Sequence, residues 1–369
     1  MSNSAHLSMV IDLEALADNY KKLSALAAPA SVAGIVKANA YGVGVDEVVP
    51  VLETLNCPLY FVADINEAYH VRSLTMRPVM VLSGLTTLPS QYSDASITPV
   101  INNFEHLSIW RAHAKDLQKK LDVVLHFDTG MNRLGFDIDD AKKFSDDHAL
   151  LENLNLIYVM SHFSSSDDCN QIQTKKQYED FKNIAGYFPN VALSLANSSG
   201  LFRNPKDYAL SLVRPGAALY GLNPLPEQDN PMAPVIKSYA AQILQIKNLK
   251  ANTAIGYNGT QSLPYDAQLA VVSIGYADGL PRSGSGHHDK NALSGVVFHY
   301  NNEPCRTVGR ISMDLTIVDI TSLKEKPKVG EFLHLVNTQH TIDHVASDCK
   351  TIGYEILTQL SQRATRFYS

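Results

Sequence analysis

Cysteine is scarce: the four thiols among 369 residues, Cys57, Cys169, Cys305 and Cys349, lie far apart and form no CxxC pair. That spacing excludes a disulfide framework, signals no metal site of the zinc-knuckle type, and leaves isolated reduced thiols as the expectation. Long hydrophobic runs are missing too, since no eighteen apolar residues follow one another, which excludes an ordinary membrane-spanning helix. The opening segment, MSNSAHLSMVIDLEALADNY, has neither a basic stretch nor a continuous apolar core, so no secretory leader is read and a cytoplasmic protein is expected. Positive charge is not in excess. A formal charge of −6 and a pI near 6.1 give no general attraction to nucleic acid or anionic membranes, and a small-molecule partner is expected instead. No internal repeat or low-complexity tract is visible.

What is present is ample apolar material: 45% hydrophobic against 18% charged residues, enough for a globular chain. At this length two domains are expected, because single cores stop growing well below it. From about Asp12 to Tyr220, short apolar runs alternate with segments of helical period, the sign of repeated βα units. Candidate strands are Val32 to Val36, Leu59 to Val62, Val79 to Leu82, Pro99 to Ile101, Val123 to Phe127, Ile157 to Met160, Ala192 to Leu195, and the stretch around Leu212 and Val213. Eight is the number that closes a (β/α) barrel, although an open doubly wound sheet produces the same alternation. The first helix shows the pattern, with Leu13, Leu16, Ala17, Tyr20 and Leu23 on one face and Asp12 at the N-cap position.

A break follows at NPLPEQDNPMAP, where four prolines prevent a continuous helix or central strand. The reading is therefore an α/β protein: a (β/α)8 TIM-type barrel over residues 1–228, then a mainly β domain over 229–369. The first ten or so residues are allowed to pack with the second domain. Strands are expected at Gln268 to Ile274, Gly295 to His299 and Leu315 to Ile320, with little helical period before Thr341.

The polar residues that matter stand just after the barrel strands, where this architecture builds its active sites. Lys37 ends the first strand, Arg133 follows the fifth, His162 the sixth, Asn197 and Ser198 the seventh, and Arg214 closes the eighth. A lysine at the end of the buried run VAGIVK is partly desolvated, which lowers its pKa and makes it available for Schiff-base formation. Taken alone it also fits a lysine that snorkels to solvent. His287 and His288 in SGSGHHDK, and Asp167 with Asp168, read as solvated loop residues.

The whole string VKANAYGVG, with Lys37, Asn39, Tyr41 and Gly42, resembles the pyridoxal-phosphate lysine motif of alanine racemases. The resemblance continues in order through HFDTGMNRLGF, VMSHF, LANSS, VRPGAALYG, IGYNGT, SIGYADGLPR, TVGRISMD and IGYEIL, from residue 36 to residue 357. It implies a cofactor, pyridoxal 5'-phosphate (PLP), bound covalently by Lys37, which also serves as one acid/base. Tyr41, Tyr354, Ser198, Asn197 and the amides of Gly216 and Ala217 are then cofactor residues; His162 packs beside the ring and Arg214 faces its nitrogen. Arg133, Tyr276, Met313 and Asp314 are implied on the substrate side, with the last three arriving from the second domain of a neighbouring copy in a head-to-tail homodimer.

Three positions depart from the family pattern. Racemisation needs a base on each face of the carbanion, and the resemblance places Gln261 where the second base, a tyrosine, is expected. Tyr257 precedes it by four residues, at a place where relatives carry a tyrosine as well as the catalytic one, and a register shift in SLPYD would bring Tyr265 to the position instead. His126 replaces a lysine that becomes carbamylated in many relatives. Ser194 replaces a supporting histidine, so that Arg214 is expected to need another partner. The implied function is interconversion of L- and D-alanine, supplying D-alanine for peptidoglycan. The alternatives are a racemase of another small amino acid and a PLP-binding protein with weak catalysis.

Overall fold

A computed structural model describes residues 6–289 and 292–369. Two compact units result: one comprises Leu16–Leu219 with Asn223–Ala233, the other the residues up to Ala15 with Tyr220–Leu222 and Pro234–Ser369.

The first unit is a closed parallel barrel. Its first strand is divided at Ala33 into Ser31–Val32, paired with Leu212–Val213, and Gly34–Ile35, paired with Tyr60–Val62. The Ala33 amide donates to Val213 O at 3.0 Å and the Gly34 amide to Leu59 O at 3.0 Å, so the divided strand links both neighbours and eight strands form a ring. The remaining staves are Val79–Val81, Ile97–Ile101, Leu121–His126, Leu154–Met160 and Ala192–Ser194, each parallel to the one before. Tyr60–Val62 and Val79–Val81 are buried at every residue, as parallel strands covered on both faces must be. Gly34 has no room for a side chain, because a Cβ there would lie 2.6 Å from the Tyr60 ring.

Helices return the chain between strands and begin where the sequence supplies caps. Asp12 Oδ1 accepts from Ala15 N at 2.8 Å, Asp64 Oδ1 from Asn66 N at 2.8 Å, and Asn103 Oδ1 from His106 N at 2.8 Å. The proline-rich segment stays with the barrel up to Ala233: buried Asn19 donates to Ala233 O at 2.8 Å and accepts from Ala233 N at 2.9 Å.

The second unit is mainly β. Ala267–Val272, Thr316–Asp319, Glu303–Thr307, Val297–Tyr300, Phe332–Val336 and the long strand Ile236–Leu249 pair in that order, and the long strand returns to Ala267–Val272, closing an antiparallel ring. Leu7–Ile11 lies antiparallel to the long strand, and Thr365–Tyr368 parallel to Leu7–Ile11. The opening strand of the chain thus belongs to this unit. Two helices, Ile342–Asp348 and Gly353–Gln359, complete it.

Candidate active site

Lys37 emerges from the first barrel strand into an unusual turn. Ala38, Asn39, Ala40 and Tyr41 have φ of 53°, 53°, 52° and 55°, four consecutive non-glycine residues in the left-handed region. Such a run costs about 1–2 kcal/mol per residue, so it persists only where the surroundings over-determine it, and backbone strain of this kind concentrates at functional sites. Gly42, at φ 81°, ends the turn and its amide donates to Ala38 O at 2.8 Å. Beyond it, Asn39 Oδ1 accepts from Val45 N at 2.9 Å. The turn brings the Tyr41 phenol against Gly216, where a Cβ would lie 2.3 Å from the hydroxyl oxygen. Burial, then the charges of Arg133 and Arg214, hold the Lys37 ammonium below the usual lysine range, with Glu67 acting in the opposite sense.

Arg214, at the end of the eighth strand, is buried. Its Nη1 donates to Ser194 Oγ, and its Nη2 to Ser161 O at 2.5 Å, with His162 Nδ1 at 3.2 Å. Ser194 therefore does not deprive Arg214 of support: its hydroxyl donates to Leu212 O at 2.7 Å, which leaves a lone pair facing the guanidinium. Burial lowers Arg214 to about 9, so it stays charged at neutral pH. Burial first, then the neighbouring guanidiniums, push His162 well below the usual histidine range. A neutral His162 that accepts at Nδ1 carries its proton on Nε2.

The seventh and eighth strand ends form a cradle of small buried residues, Ser198–Gly200 facing Gly216–Ala218. Ser198 Oγ accepts from Ala218 N at 3.1 Å, leaving its own proton to be given away. The Ala217 amide meets no acceptor among the described residues. The Gly216 amide does: it donates to Arg214 O at 3.0 Å, so Gly216 contributes clearance in place of the donor expected of it. Asn197, expected as a cofactor residue, also serves as a helix cap. Its oxygen accepts from Gly200 N at 2.9 Å, which caps the next helix, and from Ser166 Oγ at 2.7 Å, and its nitrogen donates to Phe163 O at 3.3 Å.

After the fifth strand, Asp128 shapes the loop that carries Arg133. Its carboxylate accepts from the amides of Gly130 and Met131 at 2.8 Å and of Arg133 at 3.1 Å. Although burial opposes it, these bonds and one from the Asn132 amide hold the carboxyl below the usual range. His126 beside it is buried, with Nδ1 2.7 Å from Asn102 Oδ1. Asn102 Nδ2 donates to Val100 O at 3.0 Å, which orients the amide oxygen towards the imidazole. Burial, then the charge of Arg214, brings His126 to about 4. It is a neutral ring with its proton on Nδ1 and an acceptor lone pair on Nε2.

In the second unit, the segments around Tyr276 and Met313 interlock. Tyr276 N donates to Ser312 O at 3.0 Å and Ala277 N to Met313 O at 2.9 Å, and Gly275 lies so close that a Cβ would stand 2.3 Å from Met313 O. Arg363 bridges both segments, 2.8 Å from buried Asp278 and 2.9 Å from Asp314. The Met313 amide, expected to bind a carboxylate, meets no acceptor among the described residues. Tyr354 stands half exposed on the helix Gly353–Gln359.

Neither expected position for a second base holds an available proton. Gln261 Nε2 lies 3.1 Å from His287 Nδ1, and its Oε1 accepts from His288 N at 2.9 Å. The Tyr265 phenol donates to Asp319 at 2.8 Å and is pushed up to about 12 by burial and that carboxylate. The register shift that would bring Tyr265 to position 261 does not occur, because Ile255 N donates to Gln261 O at 2.8 Å and Asn252 N to Leu263 O at 2.7 Å. Tyr257, by contrast, is 63% exposed and its hydroxyl has no partner among the described residues.

Residues 11–224 match the family model for the N-terminal domain of alanine racemase, and residues 236–368 the model for its C-terminal domain. An alanine racemase of Methylobacterium sp. (strain 4-46) is 38% identical over 364 residues, covering 98% of this chain and 97% of the relative. A catabolic alanine racemase of Agrobacterium fabrum is 36% identical over 369 residues, covering 99% and 92%. The crystal structure of alanine racemase from Bartonella henselae with covalently bound pyridoxal phosphate superposes with a TM-score of 0.92 at 32% identity, over 99% of this chain and all of that one. With both domain models matched in order and relatives similar along its whole length, the chain belongs to the alanine racemase family.

Proposed function

We propose that the chain is a PLP-dependent enzyme that interconverts L- and D-alanine. The observation that carries this is the desolvated lysine at the mouth of the barrel, set in a left-handed turn and facing a fixed arginine, in a chain of this family. The residues present fit the cofactor. Lys37 is the amine that would hold it, and the Gly216 cradle, which a Cβ would fill, leaves room for a phosphate beside the Tyr41 and Ser198 hydroxyls and the Ala217 amide. Arg214 would face the ring nitrogen and His162 the ring. When bound, PLP withdraws electrons from Cα and so makes its proton removable.

The remaining work falls to side chains. Lys37 takes or returns a proton at Nζ on one face of the substrate. A charged guanidinium donates hydrogen bonds and keeps its protons, so Arg214 would leave the ring nitrogen unprotonated and favour return of the proton to Cα over transamination. For the other face we assign the Tyr257 hydroxyl. Gln261 has no titratable proton and Tyr265 is bound to Asp319, whereas Tyr257 is displayed on a short turn between Gly256 at φ 71° and Asn258 at φ 62°. With Tyr257 as the base, Gln261 is no obstacle to efficient catalysis. Arg133 and the Met313 amide would bind the substrate carboxylate.

Because Tyr257, Tyr276, Met313 and Tyr354 belong to the second unit, we further propose a head-to-tail homodimer in which each copy completes its neighbour's site. No helix among the described residues is long and apolar enough to cross a membrane, and we place the enzyme in the cytoplasm as a supplier of D-alanine for peptidoglycan. Turnover across a panel of L-amino acids tests the activity, with L-alanine expected to lead. Borohydride reduction of the PLP-loaded protein is expected to label the peptide containing Lys37, and a label on another lysine overturns the central assignment. Growth of a D-alanine auxotroph carrying this chain tests the supply role.

A further inference from the structure

Glu67 takes part in none of the roles assigned above, yet its carboxylate sits at the root of the catalytic turn. It lies in the first turn of the helix Ile65–Leu74, whose N-cap is Asp64, and its side chain folds back over the ends of two adjacent strands. Oε1 accepts from Ala38 N at 2.7 Å and Oε2 from Ala63 N at 2.7 Å. The strands concerned are paired through Ile35 and Phe61, so one anion clips the residue after Lys37 to the residue after the second strand.

We propose that Glu67 is a positioning residue that holds the left-handed turn after Lys37, and through it sets where both Lys37 and Tyr41 meet PLP. The inference rests on the reading that Lys37 carries the cofactor. Three observations support it. The Ala38 amide has no main-chain acceptor among the described residues, and Glu67 is what receives it. Both bonds are short and have a charged acceptor, the stronger class of hydrogen bond. The turn they hold is strained at four successive residues, and the Asn39 side chain tethers it further to Val45 N. Glu67 forms no salt bridge among the described residues that would give it another purpose, while its charge favours the protonated form of Lys37.

Glu67→Gln tests this, since an amide keeps the length but accepts through only one of its two ends and turns a donor towards the other N–H. The protein is stripped of cofactor, titrated with PLP while the visible absorption band is followed, and the loaded form is titrated with pH. Glu67→Gln is expected to weaken PLP binding about tenfold, the effect of losing one charge-assisted hydrogen bond, and to move the pH midpoint of the band downward. An unchanged affinity and midpoint in folded Glu67→Gln overturn the proposal. Should that variant not fold, Glu67→Asp, too short to span both amides, is judged on PLP affinity: weaker binding supports the tether and parental binding overturns it. Lys37→Ala is measured alongside. If it keeps the band, or the parent shows none, the Lys37 reading fails and takes this inference with it; if it loses the band while Glu67→Gln behaves as the parent, the Glu67 inference fails alone.

Discussion

Gln261 and His287 meet side chain to side chain, with the amide nitrogen 3.1 Å from Nδ1. The amide nitrogen can only donate, so His287 accepts at Nδ1. Together with the bond from His288 N, this makes Gln261 a clasp between two loops of the second unit. With Gln261 so engaged, the proposed second base is Tyr257.

Tyr257→Phe is therefore expected to lower kcat by about 10²–10⁴-fold, the usual worth of a positioned acid or base, while PLP binding is retained. Gln261→Ala should cost less than about tenfold in kcat. Steady-state kinetics in both directions decide between them, and the reverse ranking would return the role to position 261.

Arg214 is buried with its two terminal nitrogens held by Ser194 and Ser161. Removing one acceptor leaves a charged donor without its partner, so Ser194→Ala is expected to lose about 1.5–3 kcal/mol in urea unfolding. Arg214→Glu reverses the charge proposed to face the ring nitrogen. The ratio of transamination to racemisation, measured with a coupled pyruvate assay, should rise; the same ratio as in the parent would count against the proposed control.

Arg363 joins Asp278 to Asp314 and so ties two of the proposed substrate-side segments together. Arg363→Ala should raise KM for alanine more than it changes kcat, since it frees Asp314 to repel the substrate carboxylate. Asp314→Asn in the same chain is expected to recover part of the loss. Equal KM values in the single and double variants would separate Arg363 from substrate binding.

His299 in the second unit is lowered from 6.5 to about 4, by burial first and then by His340, against the pull of Asp348; its Nδ1 has no hydrogen-bond partner among the described residues. A histidine depressed in the fold takes up a proton on unfolding at mildly acid pH. Its stabilising contribution is therefore complete above pH 6.5 and is lost as pH falls towards 4. Urea midpoints across that window should decline with falling pH, and His299→Phe should flatten the decline. Parallel curves for parent and variant would exclude His299 as a source.

The barrel was legible because its strands are buried on both faces: Leu59 to Val62 and Val79 to Leu82 read as unbroken apolar runs, and the structure places strands there. The long strand Ile236–Leu249 was not read, since IKSYAAQILQIKNL mixes lysine and glutamine among its apolar residues and its ladder contains a shift between Ile243 and Gln245. Lys37 and Arg214 stood out by their place at strand ends. Glu67 carried no such mark, as a glutamate in a helix's first turn is ordinary, and only the fold reveals that it reaches back to Ala38. Likewise the hydrogen bond that makes Asn197 a cap and the close approach that makes Gly216 a clearance are invisible in the sequence.

The divided first strand has a bearing on how the chain matures on the ribosome. Among the described residues Ser31–Val32 pairs with Leu212–Val213, so the stave that leads to Lys37 stays half-neighboured until almost the whole barrel has been synthesised. Contacts so distant in sequence form late. A nascent chain halted before Leu212 should thus be unable to capture the vitamin, and coenzyme uptake would serve as a timer for completion of the ring.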